Sequence, residues 1–206
     1  MSGGTPLDSI EAMADWIIAL LDSLDVNAAC LVGHSQGCLV TIDAAARYPD
    51  RVARVGLIAG ALAIPVNDHL LSLSDKALSK AIQAMISWGH GPMGHMHDNT
   101  QPGHSFLGFG NQLMAANNQN ALKNDLIACN KYKNGKDSAS KIQQPALCIL
   151  AEKDKMTPLK FGQQMANTLI RGQVTVIESA GHMLPAEFPG EVNTALRNFL
   201  NETDKS

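Results

Sequence analysis

The chain has 206 residues, 45% of them hydrophobic and 17% charged, as expected of an ordinary soluble enzyme domain. Sixteen Lys and Arg against nineteen Asp and Glu leave a formal net charge of −3, so there is no basic surplus for nucleic-acid phosphates and no nucleic-acid partner is expected. No window is apolar for long enough to span a bilayer, and nothing at Met1 reads as a signal peptide.

Apolar periodicity predicts a first helix over residues 8–24. Ile10, Met13, Ile17, Leu20, Leu21 and Leu24 form a stripe that packs on the sheet, while Glu11, Asp15 and Asp22 lie outside. The short apolar run 28–32 then reads as a strand, and Gly33-His34-Ser35-Gln36-Gly37 follows it directly. This pentapeptide reads as a nucleophile elbow. A serine hydroxyl is a weak nucleophile at its free pKa, so its use requires a neighbouring base and a backbone bend that lifts Oγ clear. Gly33 and Gly37 lack Cβ atoms and let the Ser35 turn pack between strand and helix, and the Gln36 N–H is the candidate oxyanion donor. The context is right, because an apolar helix over 38–47, ended by Tyr48-Pro49, comes next, and then a strand over 54–59.

Residues 66–141 show no strand-like alternation and are expected to form a helical cap over the catalytic face. One helix is predicted over 68–88, with too many apolar residues for a narrow stripe. A second covers 111–132, weakened or broken by the polar run 117–120. Between them His90, His95, His97, Asp98 and His104 sit among glycines. They match no strong ligand spacing, so a glycine-rich lid is the preferred reading over a metal site. Those glycines could hinge the lid, with Met93, Met96, Phe106 and Phe109 lining an apolar entrance; a packed, static lid fits the residues equally well.

The continuous apolar run 146–151 has the length of a buried strand and empties into Glu152-Lys153-Asp154. Asp154 is the candidate acid, preferred over Glu152, which sits nearer its strand, and over Glu178, which precedes the turn at Gly181. A helix over 159–170 turns Phe161, Met165, Leu169 and Ile170 inward, and the β-branched run 173–177 leads to His182, the candidate base. Val192, Ala195, Leu196 and Phe199 stripe a final helix. Strands alternating with helices imply a mostly parallel sheet flanked by helices, an α/β fold. Cys30 and Cys148 fall in predicted core strands, Cys38 in the buried helix after the elbow and Cys129 in a cap helix. Buried free thiols in a reducing cytoplasm are the favoured reading, and no C-x-x-C pair suggests a metal.

The elbow, Tyr48-Pro49-Asp50-Arg51-Val52, Asp154 with Thr157-Pro158, and Gly181-His182 followed by Glu187, Pro189, Val192 and Asn193 together resemble the α/β-hydrolase fold superfamily, serine hydrolase branch. One departure is Ala151, where many relatives have glycine. The resemblance implies a core of residues 1–65 and 142–206 with a cap of 66–141. It also implies several strands and a second oxyanion loop before the elbow, whereas Ser35 arrives almost at once, so Met1 is expected to be an internal methionine of a longer protein. The expected chemistry is cleavage of a carboxylic ester or thioester by Ser35, His182 and Asp154, with no cofactor or metal and a small, hydrophobic ester-like substrate. Relatives run C–C bond hydrolysis, lactone opening and perhydrolysis with the same triad, and a noncatalytic binding protein or impaired fragment is the alternative of another class. The elbow strand lacks its expected neighbour, so association of copies through an exposed sheet edge is also expected.

Overall fold

The computed structural model describes residues 4–95 and 105–202. Ser9 caps the first helix, α1 (Ile10–Ser23), by accepting a hydrogen bond from Ala12 N–H at 3.2 Å. Then follow β1 (Ala29–His34), α2 (Gln36–Arg47), a 3-10 turn at Pro49–Arg51 and β2 (Val52–Ile58). Helices alone occupy the described stretch before the next strand: α3 (Asp68–Lys76), α4 (Leu78–Gly89), α5 (Pro92–His95), α6 (Phe106–Ala115), α7 (Ala121–Lys131) and α8 (Gly135–Lys141). The chain closes with β3 (Ala146–Ala151), α9 (Leu159–Thr168), β4 (Gly172–Ile177), α10 (Leu184–Glu187) and α11 (Pro189–Asn201).

The four strands form one parallel sheet in the order β1-β2-β3-β4. Every residue of β3 is buried, which requires cover on both faces. Its alternation sorts that cover. Cys148 and Leu150 pack with Ile42 of α2, Ile142 after α8 and Met165 of α9. Leu147, Ile149 and Ala151 pack on the opposite side with Leu184 of α10 and Val192 and Phe199 of α11. Although α8 lies by sequence within the helical insertion, it packs on α2 and α9 in the layer that flanks the sheet.

Several expected faces are corrected. Rather than resting on the sheet, α1 packs on α2, burying Ile10, Ala14, Ile18 and Leu21 while Leu20 and Leu24 are exposed. The Arg47 guanidinium fixes this pairing by bridging Asp15 of α1 and the buried Asp43 of α2, each at 2.6 Å. Cys30 is exposed, not buried: among the described residues β1 is an edge strand, and Cys30 and Val32 on one of its faces are both exposed. Cys38, Cys129 and Cys148 are buried, and all four thiols are free. Ile170 is exposed just beyond α9, and Phe161 is exposed where it lines a cavity with Leu62, Pro65 and Met156.

The helix expected over 68–88 is two helices, broken at Ala77 with φ −153° and ψ 61°. The break explains the overfull stripe, because a fold-back lets Leu70 of α3 and Ala81 of α4 join Leu126 of α7 in one small cluster. Likewise the helix expected over 111–132 is interrupted between α6 and α7, where Asn117 and Asn118 side chains accept hydrogen bonds from the Asn118 and Asn120 backbone N–H groups. Among the described residues no helix is long and apolar enough to cross a membrane. Packing on β3 sets an expected cost: Ile149→Ala, at a fully buried position, lowers the free energy of unfolding by about 2–5 kcal/mol in urea melts. Val176→Ala, at a 40% exposed position on the other edge strand, changes it by less than about 1 kcal/mol.

Candidate active site

All four strands deliver their following loops to the same edge of the sheet. At the end of β1, Ser35 has φ 56° and ψ −118°, a conformation that strains any residue with a Cβ. It is held by Ser35 N–H donating to Ile58 O and Cys38 N–H donating to Ser35 O, each at 2.9 Å. The two flanking glycines differ. A Cβ at Gly33 would run into the backbone of Gly37, whereas a Cβ at Gly37 would meet nothing within 4 Å, so only Gly33 is required by close approach. Gln36 opens α2, where its N–H is among the donors the helix cannot satisfy itself. Its side-chain amide donates to Asp125 O of α7 at 2.9 Å. From this geometry Gly33→Ala is expected to destabilise by at least about 2 kcal/mol, and Gly37→Ala to leave thermal stability within about 1 kcal/mol of the parent, both read by calorimetry.

Asp154 and His182, 6% and 2% exposed, meet across the ends of β3 and β4. The His182 Nδ1–H donates to Asp154 Oδ2 at 2.8 Å, so the neutral ring keeps its unprotonated nitrogen at Nε2. Met156 and Thr157 N–H donate to Asp154 Oδ1, each at 2.8 Å. The Thr157 hydroxyl lies 2.8 Å from both Asp154 Oδ2 and Ala59 O, its single proton facing two acceptors, and 3.2 Å from His182 Nδ1. Burial pushes the Asp154 carboxyl up, but hydrogen bonds and charge from His182, with those from Thr157, more than offset this and hold it below the usual carboxylate range. Glu152 and Glu178 are exposed, and Glu152 accepts from Ser179 N–H at 2.9 Å rather than facing the imidazole. The Ser35 hydroxyl makes no hydrogen bond among the described residues.

His34, one residue before Ser35, links the elbow to this pair. Its Nε2–H donates to His182 O at 2.8 Å, and the two rings lie 5.0 Å apart. Burial, joined by the charge of His182, pushes the His34 pKa down from 6.5 to about 4. Sequence reasoning read neither His34 nor Thr157 as part of this arrangement. The spacing Asp154 to Thr157 carried a weak signal, since an Asp side chain readily accepts backbone N–H groups two and three residues on. His34 carried none beyond its adjacency to Ser35.

Among the described residues no group of three or more His, Cys, Asp and Glu could hold a metal. His90 and His95 donate instead to the carbonyls of Ile86 and Ser87, at 2.8 and 3.0 Å. His97, Asp98, His104 and Met96, which the lid and metal readings invoked, lie outside the described residues.

The depressed His34 pKa makes a pH prediction. Between pH 6.5 and about 4 the unfolded chain binds a proton at His34 that the folded chain does not. Stability therefore falls as pH drops through that window, by up to about 3 kcal/mol. Urea melts at stepped pH should show this slope, and His34→Gln should flatten it. The contribution of Asp154 is lost separately, as pH falls below 3.8.

Residues 2–195 match the model of the alpha/beta hydrolase family. An (E)-2-((N-methylformamido)methylene)succinate hydrolase of Acinetobacter baylyi is 24% identical over 94% of this chain and 73% of its own length. Carboxylesterase YbfK of Bacillus subtilis is 26% identical over 91% of this chain and 62% of its own. The crystal structure of an enol-lactonase from Burkholderia xenovorans LB400 superposes with a TM-score of 0.83 at 21% identity, covering 94% of this chain and 74% of that one. The strand-turn-helix around Ser35, the parallel sheet and a family match that runs through nearly all of the sequence agree: the chain belongs to the alpha/beta hydrolase family of hydrolytic enzymes.

Proposed function

We propose that the chain is a serine hydrolase acting on a carboxylic ester or thioester through an acyl-enzyme. The observation that carries this reading is the buried Asp154–His182 hydrogen bond at 2.8 Å, joined through His34 to the strained Ser35 elbow. His182 Nε2 takes the Ser35 proton as Oγ attacks the carbonyl carbon, giving a tetrahedral intermediate whose oxyanion the Gln36 N–H stabilises. The imidazolium then returns the proton to the leaving alcohol or thiol. Water, deprotonated by the same ring, releases the acid and restores Ser35. Asp154 holds the imidazole with Nδ1 protonated and stabilises its cation. The carboxylesterase relative supports an ester. The mostly apolar cavity of Leu62, Pro65, Met156, Thr157 and Phe161 supports a hydrophobic group on it.

Of residues 66–141, expected as a cap on a core of 1–65 and 142–206, α3 to α7 act in this reading as the cap, which the Gln36 to Asp125 hydrogen bond between the elbow and α7 supports, while α8 packs with α2 and α9 beside the sheet. Copies of the chain associate through β1, which has no outer strand neighbour among the described residues. Sedimentation should then show dimers or larger species, and a sharp monomer with cooperative melting would contradict the association.

A fluorophosphonate probe tests the chemistry without presuming a substrate. Ser35 should be the labelled residue by mass spectrometry, Ser35→Ala should abolish labelling, and Asp154→Asn should slow it by about a thousandfold or more. A folded sample that does not label refutes the reading. An ester and thioester panel run beside lactones, diketones and peracid formation then reports the bond cleaved.

A further inference from the structure

Glu187 is almost completely buried, at 9% exposure, yet neither the proposed chemistry nor the core uses its carboxylate. Its two oxygens go to two different segments. Oε2 accepts from Gly181 N–H at 2.7 Å, the residue before His182, and Oε1 accepts from Gly91 N–H at 2.5 Å, just past the end of α4. Met183 N–H donates to Gly89 O at 2.8 Å, so the segment 89–91 lies along the loop that carries His182. At Gly91 the approach is close enough to demand glycine: a Cβ there would stand 2.6 Å from Gly181 N. On the other side of the same loop His34 holds the His182 carbonyl. A carboxylate withdrawn from water must have its acceptor capacity met, and here both donors are backbone groups whose positions fix the base loop and the foot of the helical insertion together.

We propose that Glu187 is a positioning residue that couples docking of the insertion to placement of His182, so that the imidazole is set for proton transfer only while segment 89–91 is seated. The inference rests on the serine hydrolase reading above for its consequence, but the coupling itself is a property of the fold. A carboxylate with two acceptors serves both segments at once. An amide cannot, because one of its ends is a donor facing a donor.

The test is Glu187→Gln in the full chain. On a small activated ester kcat should fall about ten- to a hundredfold, as a displaced catalytic group does, while KM stays within about threefold. The rate of Ser35 labelling should fall in parallel. Residue-resolved amide exchange should show Gly91 and Gly181 both exchanging about tenfold faster or more, with a changed 15N shift of the His182 ring and no change in α1. Wild-type kcat, or a loss of stability with kcat intact, overturns the inference. If the parent itself neither turns over nor labels, the function reading fails alone and the amides decide: joint loosening of Gly91 and Gly181 with a shifted His182 ring supports the coupling, and independent behaviour overturns it. Should the Gln variant not fold, Glu187→Asp, which keeps the charge but shortens the reach, is read by the same criteria.

Discussion

In a parallel sheet every strand runs the same way, so every strand-to-loop exit lies along one edge, and the site described here depends on that constraint. Ser35 leaves β1, Ala59 leaves β2, Asp154 follows β3 and His182 follows β4. Residues separated by well over a hundred positions are thereby brought within hydrogen-bond reach, as His34 and His182 are. The sheet can do this because β3 is packed on both faces, which fixes the strands beside it and leaves their exits little freedom.

Placing titratable groups at such an edge removes them from water, and the local structure is largely an answer to that cost. Asp154 receives donors from His182, Met156 and Thr157. Thr157 also reaches the carbonyl of Ala59, a residue held at φ 48°, so a strained turn after β2 is tied to the carboxylate loop. His34 meets the same cost by staying neutral and donating one proton to a carbonyl. No buried side-chain polar atom among the described residues lacks a partner, as an interior of low dielectric demands.

The helical insertion is attached to this edge at several independent points. α7 meets the Gln36 side chain, segment 89–91 meets the histidine loop, and α8 joins the layer beside α2 and α9. Such attachments are made by backbone groups and glycines as much as by apolar side chains. They leave a faint trace in composition, which is why an apolar stripe alone misreads the region.

What the sequence determined by itself is whatever depends on local pattern. The apolar run 146–151 announced a doubly covered strand, and glycine around Ser35 announced a sharp turn between strand and helix. That Asp154 and His182 each follow a strand is likewise legible in the pattern, whereas the hydrogen bond between them is not. Tertiary structure decided the rest. Cys30 sits in a strand by pattern, but only its place at the sheet edge exposes it. Periodicity could not show that Leu20 and Leu24 face outward, because α1 packs on a helix rather than on the sheet. Nor could it assign Thr157, His34 and Glu187, whose partners lie in other loops. Hydrophobic period reports which way a side chain points on its own element, whereas a hydrogen bond between loops exists only once the sheet has set the distance between them.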